Sequence, residues 1–110
     1  FEEAMLKANE SYIEKLAKIQ QNDNKVAEII KAQQMMLNDE SFRKAVMEYI
    51  DKEHFTTSYA VFTAGEDFAT ELEKSDSGYL RARGADIRAV SRKLIGILQG
   101  TYNHYNHILP

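Results

Sequence analysis

The chain has 110 residues, 17 acidic against 14 basic side chains, a formal net charge of −3 and no cysteine. This is a single globular domain with room for a core; disulfides and thiol chemistry are excluded, and the charge weighs against nucleic acid or an anionic membrane as the main partner. No apolar run reaches the about 20 residues that a membrane span needs, and no signal-peptide pattern opens the chain; the lack of cysteine suits the cytoplasmic setting that is expected. The chain begins at Phe1 inside a helical pattern and stops at Pro110 after TYNHYNHIL, which reads as a domain cut from a longer chain.

From Phe1 to about Gln20, apolar residues recur at Phe1, Met5, Ala8, Tyr12, Leu16 and Ile19, with Ile13 beside them. Steps of three and four make one stripe of an amphipathic helix, expected to lack its beginning. Gln21 to Asn24 form a polar break whose Asx residues can cap the next helix. That second helix is predicted from about Lys25 to Leu37, with Val26, Ile29, Ile30, Gln33, Met36 and Leu37 on a broad face. Asn38 or Asp39 ends it and can cap a short third helix, which carries Phe42, Val46, Tyr49 and Ile50 and closes near Lys52. Thr56 or Thr57 then caps a fourth helix reaching Glu73, with Val61, Phe62, Phe68, Ala69 and Leu72. Gly65 inside it costs about 1 kcal/mol relative to alanine unless another helix must approach closely there. After the Ser75–Gly78 loop a last helix runs to Gln99 through Leu80, Arg83, Ile87, Val90, Leu94, Ile95 and Leu98, with Gly100 as its expected cap. Nothing alternates with period two. The fold class is all-α: a bundle of about four helices, the second broken near Asn38–Glu40.

Two stretches carry more than a core pattern. In AQQMMLNDESF (Ala32–Phe42), adjacent Met35 and Met36 point about 100° apart on a helix. Both face a core only if the helix is crowded on two sides; otherwise one lies on a surface that can repack around a partner. In the last helix, Tyr79, Arg83 and Asp86 share a ridge. Arg83 and Asp86 form either an ordinary ion pair three residues apart or, with Tyr79, the edge of a binding patch. His54, His104 and His107 lack carboxylates at metal-ligand spacing, the five glycines are scattered singly, and no serine or histidine sits in a nucleophile setting. The segment by itself has no catalytic residue and no metal site in this reading.

The stretches IIKAQQMMLNDESF, HFTTSYAVFTAGEDFATELE and YLRARGADIRAVSRKLIGILQG resemble the helical domain of Enzyme I of the bacterial sugar phosphotransferase system, the phosphoenolpyruvate–protein phosphotransferase family. The resemblance runs from Asn24 to Gly100. It implies that residues 1–100 are a domain that docks the phosphocarrier HPr, and that 101–110 begin a linker towards a phosphohistidine domain. The parent enzyme would take a phosphoryl group from phosphoenolpyruvate, with magnesium, onto a histidine outside this segment and pass it to HPr. Dimerisation, where the parent dimerises, would belong to another domain. Carried over onto this chain, the HPr pocket falls on Met35, Met36, Phe42, Leu72, Tyr79 and Leu80, with Arg83 at its rim and Asp39 at the helix break. The acidic positions that the family offers on the second helix are Asn24, Lys25 and Lys31 here, and its histidine after Ala32 is Gln33. Asp23, Glu28, Asp39, Glu40 and Glu71 are candidates for compensating charge. The alternative is a stand-alone or divergent helical interaction module without phosphotransfer.

Overall fold

The computed structural model describes the backbone of residues 1–19 and 24–108 and the side chains of these up to residue 100. Five helices follow one another: α1 (Glu2–Lys18), α2 (Asn24–Leu37), α3 (Glu40–Glu53), α4 (Thr57–Glu73) and α5 (Gly78–Ile108). The described residues contain no strand. The all-α class holds, with a helix count of five rather than about four. The expected break is complete, and α3 is no short appendage, matching the 14 residues of α2. Asp39 makes the division: its backbone is extended (φ −65°, ψ 127°) and its carboxylate accepts the Phe42 N–H at 3.0 Å, satisfying a donor at the start of a new helix.

The remaining junctions follow the same chemistry. Thr56, not Thr57, caps α4 by accepting the Tyr59 N–H at 3.3 Å. The Ser77 hydroxyl accepts the Leu80 N–H at the start of α5. α3 closes with His54 in the left-handed region (φ 58°), so that the N–H groups of His54 and Phe55 both turn back to the Tyr49 carbonyl. The Phe55 ring then stacks on Tyr49 at 5.3 Å between centroids. The expected stop at Gly100 is absent, and α5 continues to Ile108. A glycine ends a helix by turning left-handed, and no described glycine has positive φ. Of the Asx residues expected to cap α2, Asn22 and Asp23 lie outside the described residues and Asn24 is the first residue of the helix.

The core is built from one stripe of each helix: Met5, Ala8 and Tyr12 of α1, Leu37 of α2, Phe42 and Val46 of α3, Val61, Ala64 and Ala69 of α4, and Ile87, Val90 and Leu94 of α5. Burying Phe42 completely is worth about 1.5–3 kcal/mol. Val26, Ile29, Phe62 and Leu80, stripe residues by their spacing, are exposed. On α2 only Ala32 and Leu37 are buried, Ile30 and Met36 pack partly against the core, and Val26, Ile29 and Met35 stay exposed.

α4 and α5 make the most extensive contact of the bundle. A side chain at Gly65 would place its Cβ 1.8 Å from the Ser91 Oγ, so the missing side chain is what lets the helices meet. Arg88 ties the same pair together, donating to Glu66 at 2.7 Å and to Glu73. Lys93 of α5 donates to the Ser11 hydroxyl of α1 at 2.7 Å and lies over the Tyr12 ring. Asn9 and Asn38 exchange both amide hydrogen bonds, at 3.0 and 2.8 Å, fixing the α2–α3 break against α1. Among the described residues no helix is long and apolar enough to cross a membrane.

Candidate functional site

The Asp39 cap turns the chain so that the end of α2 and the start of α3 form two sides of a hollow. Phe68 and Leu72, a turn apart on α4, and Ile87 of α5 complete it. The hollow has a volume of about 400 Å3 and is lined by Met36, Asp39, Phe42, Phe68, Glu71, Leu72 and Ile87. The wall is apolar apart from the carboxylates of Asp39 and Glu71. The Phe42 ring meets Phe68 edge to face at 5.9 Å, a favoured aromatic geometry, at the inner wall. Both carboxylates are partly engaged: Asp39 accepts the Phe42 N–H, and Glu71 lies 3.5 Å from the Lys74 ammonium. The chemistry on offer is reception of an apolar side chain with a cation at its edge.

A second hollow, also about 400 Å3, lies between α2 and the first turns of α5, lined by Lys25, Glu28, Ile29, Tyr79 and Arg83. Ile29 and Met36 are two turns apart on one face of α2, and Arg83 and Ile87 one turn apart on α5. The two hollows therefore lie along a common α2–α5 seam. Arg83 Nε is 2.8 Å from Asp86 Oδ2, a contact of opposite charges that is not an aligned hydrogen bond. The Arg83 guanidinium also lies over the Tyr79 ring, 4.8 Å from its centroid.

Of the residues expected at the site, Met36, Asp39, Phe42 and Leu72 share the first hollow, and Tyr79 and Arg83 share the second. Met35, 68% exposed, and Leu80 line neither, and both add apolar surface outside them. The adjacent methionines thus divide, with Met36 at the hollow and Met35 on the outer surface. Arg83 and Asp86 form the expected pair, and Tyr79 joins them. Of the charges considered as compensation, Asp39 and Glu71 meet at the first hollow and Glu28 lies at the second, while Asp23 is outside the described residues. Phe68 and Ile87, core positions by their spacing, are also walls of the first hollow. The signal that could have found them is that same helical spacing: Phe68 precedes Leu72 by four residues, and Ile87 follows Arg83 by four.

Residues 1–83 match the family model described as PEP-utilising enzyme, N-terminal. Three curated relatives are phosphoenolpyruvate–protein phosphotransferases. That of Borreliella burgdorferi is 28% identical over 98% of this chain and 19% of its own length. That of Mycoplasma capricolum is 33% identical over 88% of this chain and 18% of its own, and that of Bacillus subtilis 28% over 91% and 18%. The chain thus spans about a fifth of the length of these relatives.

Proposed function

The chain belongs to the N-terminal family of PEP-utilising enzymes, and on that premise we propose that it is the docking domain of a phosphoenolpyruvate–protein phosphotransferase. In this reading it binds the phosphocarrier HPr and positions it for phosphoryl transfer from a histidine elsewhere in the parent enzyme. The observation that supports it best is the apolar hollow of Met36, Phe42, Phe68, Leu72 and Ile87 with carboxylates at its edge. Along the same α2–α5 seam Ile29 and Tyr79 leave apolar surface uncovered. Clustered exposed apolar residues around a hollow with a polar rim are how a protein surface receives a partner.

The contribution to chemistry is positional. Phosphoryl transfer asks for an in-line approach of two nitrogens to one phosphorus, and little covalent help from the scaffold. A docked carrier converts an encounter between two proteins into a reaction within one complex, and orientation of this kind accounts for several kcal/mol of barrier, about 7–11 at the limit. An apolar anchor in the hollow fixes position, and the charges of Asp39 and Glu71 fix orientation and hasten encounter. The phosphoryl group moves from phosphoenolpyruvate to the parent's histidine and then to the carrier's histidine; no side chain of this chain bonds to it. Magnesium and phosphoenolpyruvate belong to other parts of the parent in this reading, as does any dimer contact.

The test is a titration of the isotopically labelled chain with HPr, followed by amide shifts. The shifts should concentrate at Met36, Phe42 and Leu72 and extend to Met35, Tyr79 and Leu80. Absence of any shift at millimolar HPr would refute docking and leave an interaction module of another kind.

A further inference from the structure

Four aromatic rings follow one another from α3, across the turn, onto the outer side of α4. Tyr49 stacks on Phe55 at 5.3 Å between centroids, Phe55 meets Tyr59 at 4.6 Å, and Tyr59 meets Phe62 at 6.5 Å. The last two are 53% and 51% exposed, and contiguous aromatic surface of this kind marks an interface. Tyr59 and Phe68 are nine residues apart, half a turn out of phase, so the strip faces away from the first hollow. Grooves of unlike charge flank it. Between α3 and α4 lie Glu48, Glu53 and Asp67 with one cation, Lys52. Glu48 and Glu53 have no ion pair among the described residues. Between α4 and α5 lie Arg88, Arg92 and Glu66. Glu66 and Glu73 take up Arg88. Arg92, exposed and without an ion pair among the described residues, is the cation that this groove presents.

We propose that the outer side of α4 is a contact between two copies of this chain, related by a two-fold axis running along the α4 ridge. That axis lays each acidic groove over the other copy's Arg92, whereas an axis across the ridge would set acid on acid. The heights along α4 agree. Ser91 meets Gly65, so Arg92 stands near the middle of α4. Glu48 lies midway between Phe42, which meets Phe68, and Phe55, which meets Tyr59, and so stands at the same level. A two-fold axis along α4 preserves height, and Arg92 of one copy therefore meets Glu48 of the other, twice. Tyr59 and Phe62 close on their counterparts at the axis. Thr63 brings no unmet donor, because its hydroxyl donates to the Tyr59 carbonyl at 2.8 Å. Glu66, near the axis, is already neutralised by Arg88. The 17 residues of α4 span about 25 Å, and its neighbours lie about 8–10 Å to each side. This face is smaller than the about 800 Å2 per copy of a standard interface, so the association is weak, with Kd about 10–100 µM. It is separate from a dimer contact made by other parts of a parent enzyme, and it leaves the first hollow of both copies open.

Sedimentation equilibrium of the 110-residue chain, from about 10 µM to about 1 mM, tests this. The average mass should rise from that of one chain towards that of two. Phe62→Ala should weaken association by about tenfold; helical circular dichroism confirms that the fold is kept. Arg92→Glu and Glu48→Lys, each alone, should also weaken it by about tenfold or more, because the axis repeats each like-charge contact. An equimolar mixture of these two variants should associate as the wild type does, since each reversal is then answered by the other. A wild-type chain that stays monomeric at about 1 mM overturns the self-contact and gives this face to a different protein or to another part of the parent. Association that Phe62→Ala leaves within about twofold overturns it as well. So does a mixture of the two reversals that stays as weak as either alone. None of these results touches the amide shifts expected from HPr at the first hollow, so the docking reading is tested separately.

Discussion

Gly65→Ala sets two opposed effects against each other, and the structure decides between them. In an exposed helix the change gains about 1 kcal/mol through helix propensity. Here the added Cβ lies 1.8 Å from Ser91 Oγ and 2.9 Å from Ser91 Cβ. Rotating the Ser91 hydroxyl relieves the first clash but not the second, because its Cβ is fixed to the α5 backbone. The α4 and α5 axes must separate, and overpacking of this kind costs about 1–3 kcal/mol. The pair also carries the bundle's most extensive contact and the two Arg88 ion pairs, so the displacement is felt along both helices. The expected net effect is a loss of up to about 2 kcal/mol, with a fall in melting temperature of about 4–8 °C for each kcal/mol. Ser91→Gly supplies the control. It removes both clashing atoms, leaving the Ile87 carbonyl at 4.0 Å as the nearest neighbour of the new methyl, and it removes a buried hydroxyl that lacks a hydrogen-bond partner. The double variant should therefore return to wild-type stability or exceed it. Urea unfolding followed by circular dichroism measures all three proteins. A single Gly65→Ala variant that is stabilised by about 1 kcal/mol would show that α4 and α5 do not approach as described.

Leu72→Ala should enlarge the first hollow and weaken HPr binding by about tenfold, with a smaller stability loss of about 1–2 kcal/mol because the side chain is only partly buried. Comparable affinities for the two proteins in titration calorimetry would remove Leu72 from the anchor. Asp39→Ala should cost about 1 kcal/mol as a lost cap, whereas Asp39→Asn keeps the cap and removes the charge. Any loss of HPr affinity in the asparagine variant then reports the carboxylate as a rim charge, and equal chemical-denaturation midpoints for the asparagine and alanine variants would contradict the capping role. Burial, and behind it the charge of Asp86, pushes the Tyr12 phenol up to about 12. The raised value means the neutral phenol is favoured in the fold: its contribution is complete below the ordinary tyrosine range near 10 and is lost as pH rises towards about 12. Tyr12→Phe should flatten the alkaline limb of the stability profile and delete the latest phenol in a near-ultraviolet absorbance titration; an unchanged alkaline limb would refute the assignment.

The spacing of apolar residues is enough to place all five helical segments, and the Asx and Thr residues are enough to place two of their junctions. Asp39 and Thr56 do what their residue types favour in those positions, because capping is decided within three residues of chain. The end of α5 departs from expectation for the complementary reason: Gly100 permits a left-handed turn but does not compel one, and the helix runs through it. Burial on α2 is legible only in part. Its apolar residues cover more of the circumference than the bundle can enclose, and periodicity alone does not say which edge stays outside. Gly65 is a recognisable cost whose compensation lies on another helix, at Ser91. The Asn9–Asn38 pair is 29 residues apart in sequence and is created by the approach of α1 to the break, so no local pattern announces it. The same limit applies to the site. The residue types can be picked out, while their division between two hollows depends on how α2 lies against α5.

The break between α2 and α3 joins the stability of the fold to the geometry of the site. A continuous helix through Asn38 and Asp39 would carry Phe42 onward along the α2 axis, away from Met36 by more than a helical turn. The Asp39 cap instead starts a new helix, which brings Phe42 under Phe68 and against the hollow that Met36 and Leu72 share. The hinge is held by directional bonds rather than by burial: the cap itself, the two-way amide pair to Asn9, and the Asn38 side-chain bond to the Gln34 carbonyl at 2.8 Å. Such bonds fix an angle more closely than apolar contact does, because they weaken steeply with misalignment. The three amide bonds are exposed and the cap is only partly buried, so each contributes modestly to stability. A hinge of this composition sets where the inner wall stands while adding little to the core, which is why Asn9 and Asn38, neither of which lines the hollow, govern its shape.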